Sequence, residues 1–254
     1  MRRVVLVLAT MALAILVAGG VAQAIINGQP DRNAHPYVGM VYNDEFVCSG
    51  TLISARVFLT AAHCTEAFKQ GDSKVYVTFE QHADFKPDDA YVGTPHTHPR
   101  YDGFFPDVGV VVLEKPVRMA TYGALPDSGL VDTLKEGQRL TTVGYGARGF
   151  ERGSGGSLQP QPVLISDRYR ATVRFLNTND AVGEKFVKTT GVSIIKGKGE
   201  ASCHGDSGGP LFMANQQTIV GITTTSLIAP LCRGPGYYQR MDLPQVLKWV
   251  RSLP

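Results

Sequence analysis

The sequence is 254 residues long, with 43% hydrophobic residues, 19% charged residues and a formal net charge of +3. A chain of this length can bury a sizeable core, as one large all-β domain or as two small lobes. It contains no long run of like charge, so its charge gives no support to a nucleic-acid or membrane-surface partner.

The chain begins with the features of a secretory signal peptide. Met1-Arg2-Arg3 is basic, Val4–Val17 is apolar, and Ala22-Gln23-Ala24 is a small-residue cleavage sequence. The apolar run is shorter than the roughly 20 residues of a membrane-spanning helix, and an uncleaved anchor is the alternative. Removal of residues 1–24 removes Arg2 and Arg3 but no acidic residue. The remaining chain then has 23 basic and 22 acidic residues, which gives a net charge of +1. We expect a secreted, extracellular chain that starts at Ile25.

All four cysteines follow the expected signal peptide: Cys48, Cys64, Cys203 and Cys232. An even number in an exported protein favours disulfide bonds. Four cysteines allow three pairings, and spacing alone does not choose between them, although pairing neighbours closes the shortest loops. Each such bond would stabilise the fold by about 3–4 kcal/mol. A zinc site is the alternative, but the sequence has no Cys-x-x-Cys pair to support it.

The part after residue 24 consists of short apolar or alternating runs separated by Gly, Pro, Asn and Asp. Their enrichment in Val, Thr, Tyr and Phe predicts many short strands, as in a barrel or sandwich. Ala124–Gly137 is the candidate connection between two lobes. Helical spacing occurs near the end, where Asp242 is the expected cap and Pro244 lies in the first turn. The runs are Tyr37–Tyr42, Val57–Thr60, Val75–Phe79, Val108–Leu113, Leu140–Val143, Ala171–Phe175 and Thr218–Thr225, and the helical face is Val246, Leu247 and Val250. The predicted fold class is all-β with a C-terminal helix.

The segment Gly205-Asp206-Ser207-Gly208-Gly209 is the first candidate for chemistry. Flanking glycines let the backbone turn sharply and let another molecule approach the serine closely. An ordinary turn is one alternative, and the nucleophile turn of an α/β-hydrolase is another. That hydrolase class needs a histidine after its serine. The six histidines all precede Ser207, which excludes it: His35, His63, His82, His96, His98 and His204.

A serine hydroxyl needs a general base to become a nucleophile, and the base needs a carboxylate to fix its tautomer. His63 follows an apolar strand and adjoins Cys64, a rigid setting that suits a base, although a structural histidine is the alternative. Asp107 opens the apolar run Val108–Leu113, where an unpaired carboxylate is costly and an imidazole N–H would satisfy it. A solvated turn aspartate is the alternative for Asp107. Together the three residues predict nucleophilic catalysis.

These segments resemble the three motifs of the chymotrypsin-like (trypsin-like) serine protease family. The matching runs are Thr60–Cys64, Asp107–Val111 and Gly205–Pro210, in the family's order, and the resemblance extends from Ile25 to about Trp249. It implies two six-stranded antiparallel β-barrels, at about 25–125 and 136–241, with a C-terminal helix at about 243–252. The active site would lie in the cleft between the barrels. The resemblance also implies the disulfides Cys48–Cys64 and Cys203–Cys232.

The resemblance implies a secreted serine endopeptidase that works through an acyl-enzyme. Ser207 would attack the peptide carbonyl, His63 would take and return the proton, and Asp107 would orient His63. The backbone N–H groups of Gly205 and Ser207 would form the oxyanion hole. A catalytically silent binding protein on the same fold is the alternative, and a hydrolysis assay separates the two.

Ile25-Ile26-Asn27-Gly28 resembles the start of the family's mature chains. In the family the freed α-amine pairs with the aspartate before the serine, here Asp206. Because Ala24 directly precedes Ile25, removal of the signal peptide would itself release the activating terminus. A short propeptide that ends at Ala24 is the alternative.

The resemblance places the floor of the substrate pocket six residues before the serine, at Ala201. This residue is uncharged, so an apolar or aromatic residue is expected before the cut, although the neighbouring Glu200 would restore some basic preference if it faced the pocket. Ser226 would narrow the entrance, and Gly236 would leave the opposite wall open.

The expected partners are protein or peptide substrates and a proteinaceous inhibitor, without nucleic acid or membrane, and the expected state is a monomer. We expect no cofactor and no metal. His82, His96 and His98 invite a metal site, but Pro95 and Pro99 favour an irregular surface loop instead.

Overall fold

The structure, a computed structural model, describes residues 25–69, 74–83, 86–147, 150–152, 158–160, 166–178, 183–228 and 231–254. The expected signal peptide, residues 1–24, lies outside them. Helices within these ranges are too short or too polar to cross a membrane.

Strands dominate the described residues, as the alternating pattern predicts. The N-terminal half contains β1 (Gln29–Pro30), β2 (Val38–Tyr42), β3 (Val47–Leu52), β4 (Val57–Thr60), α1 (Ala62–Phe68), β5 (Val75–Thr78), β6 (His82–Ala83), β7 (Tyr91–Thr97) and β8 (Gly109–Leu113). The C-terminal half contains β9 (Arg139–Gly144), β10 (Phe150–Arg152), β11 (Leu158–Pro160), β12 (Ser166–Asp167), β13 (Tyr169–Asn177), β14 (Phe186–Val192), β15 (Pro210–Met213), β16 (Ile219–Ile228), β17 (Arg233–Arg240) and α2 (Pro244–Val250).

Two closed antiparallel barrels form, each of six strands, which confirms the predicted fold class. The first closes in the order β2-β3-β4-β8-β7-β5, with β5 pairing back to β2. The second runs β9-β13-β14-β17-β16-β15 and closes through pairing of β15 with β9, while β1 adds to the outside of β13. Buried apolar residues on these strands fill each barrel, as with Val38 and Met40 in the first barrel and Leu140 and Val220 in the second.

The two barrels share one apolar contact region. Phe212 and Ile222 of the second barrel belong to the same buried cluster as Val41 and Phe58 of the first. Strand β12 also pairs with β6, which links the barrels by hydrogen bonds. The shared core fixes the relative position of the barrels, and therefore of any site built from both.

A buried arginine holds the same junction through polar contacts. Arg168 is fully buried, and its guanidinium donates to Asp31 Oδ2 at 3.0 Å, Asn33 Oδ1 at 2.7 Å and Tyr145 Oη at 3.0 Å. It also donates to the carbonyl of Val38 in the first barrel at 2.9 Å. A buried cation is stable only with such complete pairing, so this network specifies how the segments meet.

Two local expectations are wrong. Asp242 does not cap α2, because Leu243 precedes the helix and the Asp242 carboxylate instead pairs with Arg240 and accepts the Val131 N–H. Pro95 lies inside β7 rather than in an irregular loop. At this position β7 pairs with β8 only, so the missing proline N–H disrupts no ladder.

Disulfide bonds join the four cysteines as neighbours. The Cys48–Cys64 bond ties β3 to the first turn of α1, and the Cys203–Cys232 bond ties the segment before Ser207 to the start of β17. Because all four sulfur atoms are in disulfides, none is available as a thiolate ligand for zinc.

Candidate active site

His63 lies at the start of α1, directly after strand β4. The disulfide of its neighbour Cys64 anchors this turn to β3. The helix puts the imidazole at the surface of the first barrel, with 35% of the side chain exposed. The position is therefore rigid in its backbone and open on one side of the ring.

Asp107 lies against His63 and is buried. His63 Nδ1 is 2.9 Å from Asp107 Oδ2, and the His63 backbone N–H donates to Asp107 Oδ1 at 3.0 Å. The Asp107 backbone N–H donates to Gln239 Oε1 at 3.0 Å, so a side chain of the second barrel also fixes the aspartate. The carboxylate favours a proton on Nδ1 and leaves Nε2 as the acceptor, the tautomer that a general base requires.

Ser207 belongs to the second barrel but its turn is held against the first. Its carbonyl accepts the Ser49 N–H at 2.9 Å, and Cys64 Sγ is 3.8 Å from the same oxygen. A Cβ at Gly208, where φ is +76°, would lie 2.6 Å from the Ala61 nitrogen and 2.7 Å from the Ser49 carbonyl. Only glycine permits this approach, which brings Ser207 to the residues that flank His63.

Ser49 connects the two barrels through its side chain as well. Its hydroxyl donates to the Gly205 carbonyl at 2.8 Å and accepts the Tyr145 N–H at 2.9 Å. Gly205 has a φ of +92°, a conformation that L side chains rarely adopt. Within the described ranges, the backbone N–H groups of Gly205 and Ser207 donate no hydrogen bond. Two free donors thus flank the serine at the place expected for an oxyanion hole.

Asp206 points into the protein rather than toward the cleft. It is fully buried, and its oxygens accept the N–H groups of Cys203 and Gly146, each at 2.8 Å. Burial raises the pKa of Asp206 to about 7, and these two hydrogen bonds oppose the rise. No cationic side chain of the described residues lies within ion-pair distance of it. Asp206 is therefore a buried acid whose charge has no counter-charge.

The N-terminal segment lies next to this loop. Ile26 exchanges two backbone hydrogen bonds with Ala201, at 2.9 and 3.3 Å, and it packs beside Cys203. Ile25 is fully buried against Tyr169 and makes no hydrogen bond to Asp206. The structure thus brings the segment of Ile25 alongside the chain that leads to Asp206, but it does not pair the two residues.

A cavity opens beside Ser207, between the segment before it and strand β16. Ser226 is among the described lining residues of this cavity, and Ala201 and Gly236 are not among them. Ala201 is buried and pairs through its backbone with Ile26, and a side chain at Gly236 would contact Tyr238 and Thr189 within the sheet. The described lining residues carry no carboxylate; they are Ser202, Cys203, His204, Ser207, Thr223, Thr224, Thr225, Ser226 and Cys232.

Sequence reasoning missed Gln239, Ser49 and Ser202. Gln239 and Ser49 are distant in sequence from the motifs they support, and only the pairing of strands brings them there. Ser202 lines the cavity, whereas its neighbour Ala201 pairs through its backbone with Ile26. A motif search alone gives no signal for any of these residues.

The fold and the site together define a class of protein. Two closed antiparallel barrels, a histidine–aspartate pair from one barrel and a glycine-flanked serine from the other are the features of a chymotrypsin-like serine endopeptidase. The order of the residues along the chain, His63, Asp107 and Ser207, is that of this class.

Comparison with known proteins gives the same answer. The family model described as Trypsin matches residues 25–250, which is most of the chain. Chymotrypsin of Phaedon cochleariae is 31% identical over 244 residues, covering 90% of this chain and 81% of that protein. Snake venom serine protease KN2 of Trimeresurus stejnegeri is 27% identical, covering 91% of this chain and 88% of that protein. The chain belongs to the trypsin family of serine proteases.

Solved structures share the fold at lower identity. A structure titled HL collagenase superposes with a TM-score of 0.68 and 19% identity, covering 90% of this chain and 97% of that one. Human heparin binding protein superposes with a TM-score of 0.64 and 22% identity, covering 90% and 96%. These likenesses bear on the arrangement of the two barrels alone.

Proposed function

We propose that this protein is a secreted serine endopeptidase that hydrolyses peptide bonds through an acyl-enzyme on Ser207. The observation that carries the proposal is the buried Asp107 carboxylate at 2.9 Å from His63 Nδ1, on the barrel that braces the Ser207 turn. Free backbone donors beside the serine support it. Membership of a family of proteases supports the reaction class.

In the first step, His63 Nε2 accepts the Ser207 hydroxyl proton as Oγ adds to the carbonyl carbon of the scissile bond. The negative charge on the carbonyl oxygen is met by the N–H groups of Gly205 and Ser207. In a site of this kind the loss of one such donor costs about 3–4 kcal/mol of barrier. Asp107 stabilises the imidazolium and holds its ring in place.

Collapse of the intermediate breaks the C–N bond, and the proton on His63 passes to the leaving amine. Water then takes the place of the amine, gives its proton to His63 and attacks the ester of Ser207. The second collapse releases the acid and returns the proton to Oγ. The partly exposed face of His63 allows both the amine and the water to reach Nε2.

We propose that the residue before the cut is uncharged. The lining of the cavity beside Ser207 supports this, because its described residues offer hydroxyl groups and a disulfide but no carboxylate. A lysine or arginine side chain would lose its hydration there without gaining a counter-ion. Ala201, the neighbour of Ser202 in the chain, carries no charge either. Cleavage of a peptide library by the secreted protein tests this, and a dominant preference for Lys or Arg would refute it.

We also propose that the α-amine of Ile25, once freed, pairs with Asp206. One observation in support is that the Asp206 carboxyl is buried, has a raised pKa and has no cationic partner among the described residues. The other is that Ile26 pairs with Ala201 in the segment that leads to Asp206. An ammonium group in this position would supply the missing counter-charge. N-terminal sequencing of the secreted protein should give Ile25. A chain that retains Ala24 should bind substrate poorly and hydrolyse it slowly, and full activity of that chain would refute the pair.

Covalent labelling tests the nucleophile directly. The secreted protein should react with an organophosphorus serine reagent and hydrolyse casein, and Ser207→Ala should lose both properties. Ser202→Ala is the matched control, since Ser202 lines the same cavity and presents the same functional group. Labelling that persists in Ser207→Ala would overturn the assignment. Absence of labelling and hydrolysis in the unaltered protein would favour the silent binding protein instead.

A further inference from the structure

A second cavity lies between the segment that leads into β2 and residues of the second barrel, on β9, β13 and the turn between β15 and β16. Its volume is about 390 Å³, within the range of small-molecule sites. It shares no lining residue with the cavity beside Ser207. The lining residues are Ala34, His35, Tyr37, Thr141, Arg170, Asn215, Gln216 and Gln217. The proposed protease mechanism uses none of them.

One wall of this cavity is held in place by a buried network. His35 Nδ1 is 2.5 Å from Asp31 Oδ1, and the His35 backbone N–H donates to Asp31 Oδ2 at 2.9 Å. The imidazole also stacks on Phe212, with 5.4 Å between ring centroids and 8° between planes. Because Arg168 pairs with Asp31 in turn, the charge of that carboxylate is already balanced. This wall is therefore rigid, and its carboxylate adds no net negative charge to the cavity.

Arg170 supplies a free positive charge to the lining of the cavity. It lies on β13, and none of the described residues gives its guanidinium a carboxylate or hydrogen-bond partner. The described lining residues include no aspartate or glutamate. A half-buried guanidinium beside a concave surface is suited to bidentate pairing with an oxyanion.

The remaining lining groups are neutral donors and acceptors. Asn215, Gln216 and Gln217 present exposed side-chain amides from the turn between β15 and β16. Burial raises the pKa of the Tyr37 hydroxyl to about 12, so this group remains a donor at neutral pH. Several amides and hydroxyls around one cation match a ligand with one acidic group and several hydroxyl groups.

We propose that this cavity binds a sugar acid, with Arg170 pairing with its carboxylate or sulfate group and the amides of 215–217 bonding its hydroxyls. The ligand is either a free acidic monosaccharide or one unit of an acidic polysaccharide, since both present the same chemistry to a cavity of this size. The proposal does not depend on hydrolysis by Ser207. It assigns a recognition site to the protein in addition to the proposed cleavage site.

Calorimetric titration of the secreted protein carrying Ser207→Ala tests this without self-digestion. The probes are sodium D-glucuronate, D-glucose 6-sulfate and neutral D-glucose at matched ionic strength, followed by a polygalacturonate oligomer. We expect an acidic probe to bind at least tenfold more tightly than glucose. Arg170→Gln should weaken that binding at least tenfold, because a charge-assisted pair is lost. Arg174→Gln is the matched control on the same strand, since Arg174 donates to Gly137 and does not line the cavity.

Asn215→Asp provides a second test that leaves Arg170 in place. The backbone φ of Asn215 is +59°, a value that aspartate tolerates. The new carboxylate should also weaken the binding of the acidic probes. Binding of the oligomer but not the monosaccharides, lost in Arg170→Gln, would support the polysaccharide as the source. Equal binding of glucose and glucuronate, no binding of any probe, or equal loss in Arg170→Gln and Arg174→Gln would each overturn the proposal. Loss of casein hydrolysis in Ser207→Ala is scored separately, so failure of one proposal does not decide the other.

Discussion

Asp206 should make the stability of the unprocessed chain depend on pH. Its buried carboxyl has a pKa raised from 3.8 to about 7. An acid whose pKa is higher in the folded chain stabilises the fold in its protonated form. This stabilisation is therefore full below about pH 4 and is lost as the pH rises to about 7. At about 1.4 kcal/mol per pKa unit, the loss in the free energy of unfolding is about 4 kcal/mol.

Urea unfolding of inactive Ser207→Ala chains measures this loss. One chain begins at Ala24, so that the amine of Ile25 is blocked, and the other begins at Ile25. Each is compared with its own Asp206→Asn variant between about pH 4 and pH 7, with the disulfides intact. We expect the blocked chain to lose about 4 kcal/mol more than its Asn variant. The free chain should lose much less, because its ammonium balances the carboxylate.

Two results would refute the reasoning separately. Equal pH dependence in the blocked chain and its Asp206→Asn variant would show that Asp206 is not the titrating group. Equal pH dependence in the blocked and free chains would show that the amine of Ile25 does not reach the carboxylate. In the second case the buried acid would remain, but the proposed activation pair would not.

Three further predictions concern the supports of the site. Ser49→Ala should leave the Tyr145 N–H and the Gly205 carbonyl unpaired and destabilise the fold by about 1–3 kcal/mol. The variant should also lower kcat more than it raises KM. Unchanged steady-state kinetics would contradict this. Gly146→Ala places a methyl group 2.6 Å from the Asp206 carboxyl, and thermal unfolding should show a loss of about 1–3 kcal/mol, whereas wild-type stability would argue against the close packing. Replacing Cys203 and Cys232 by serine removes a bond between residues separated by 29 positions. Denaturant unfolding should show that the free energy of unfolding falls by about 4 kcal/mol. A fall below about 1 kcal/mol would contradict the chain-entropy explanation.

The strands could be predicted because they carry local signals, whereas their closure into two six-stranded barrels was implied by the resemblance to the protease family. Val57–Thr60 and Val108–Leu113 are apolar runs that pair with each other as β4 and β8, and the glycines and prolines between runs mark the turns. Residues close to a motif, such as His63 beside Cys64, could be assigned in the same way. Asp242 could not, because its choice between capping α2 and pairing with Arg240 depends on a buried arginine that the local sequence does not reveal.

The pocket shows where sequence reasoning stops. The resemblance puts Ala201 at the floor, but the structure pairs Ala201 with Ile26 and lines the cavity with Ser202. Which of two adjacent residues lines a cavity depends on the local backbone direction, and Ala201 has its backbone partner, Ile26, far away in the sequence. Gln239 illustrates the same limit, because it reaches Asp107 only after both barrels have closed.

The hydrogen bonds of the single residue Ser49 depend on the alignment of the two barrels. Its N–H, its hydroxyl and its carbonyl each join a different neighbour: Ser207, Gly205 and Thr60. A displacement of one barrel by a few tenths of an ångström would therefore lengthen bonds to the turn that holds Ser207 before any core residue became exposed. Mutations at the barrel junction should accordingly reduce turnover at temperatures well below those at which the chain unfolds. We therefore expect heat inactivation to precede heat denaturation, with a difference between the two temperatures that depends on the stiffness of the junction.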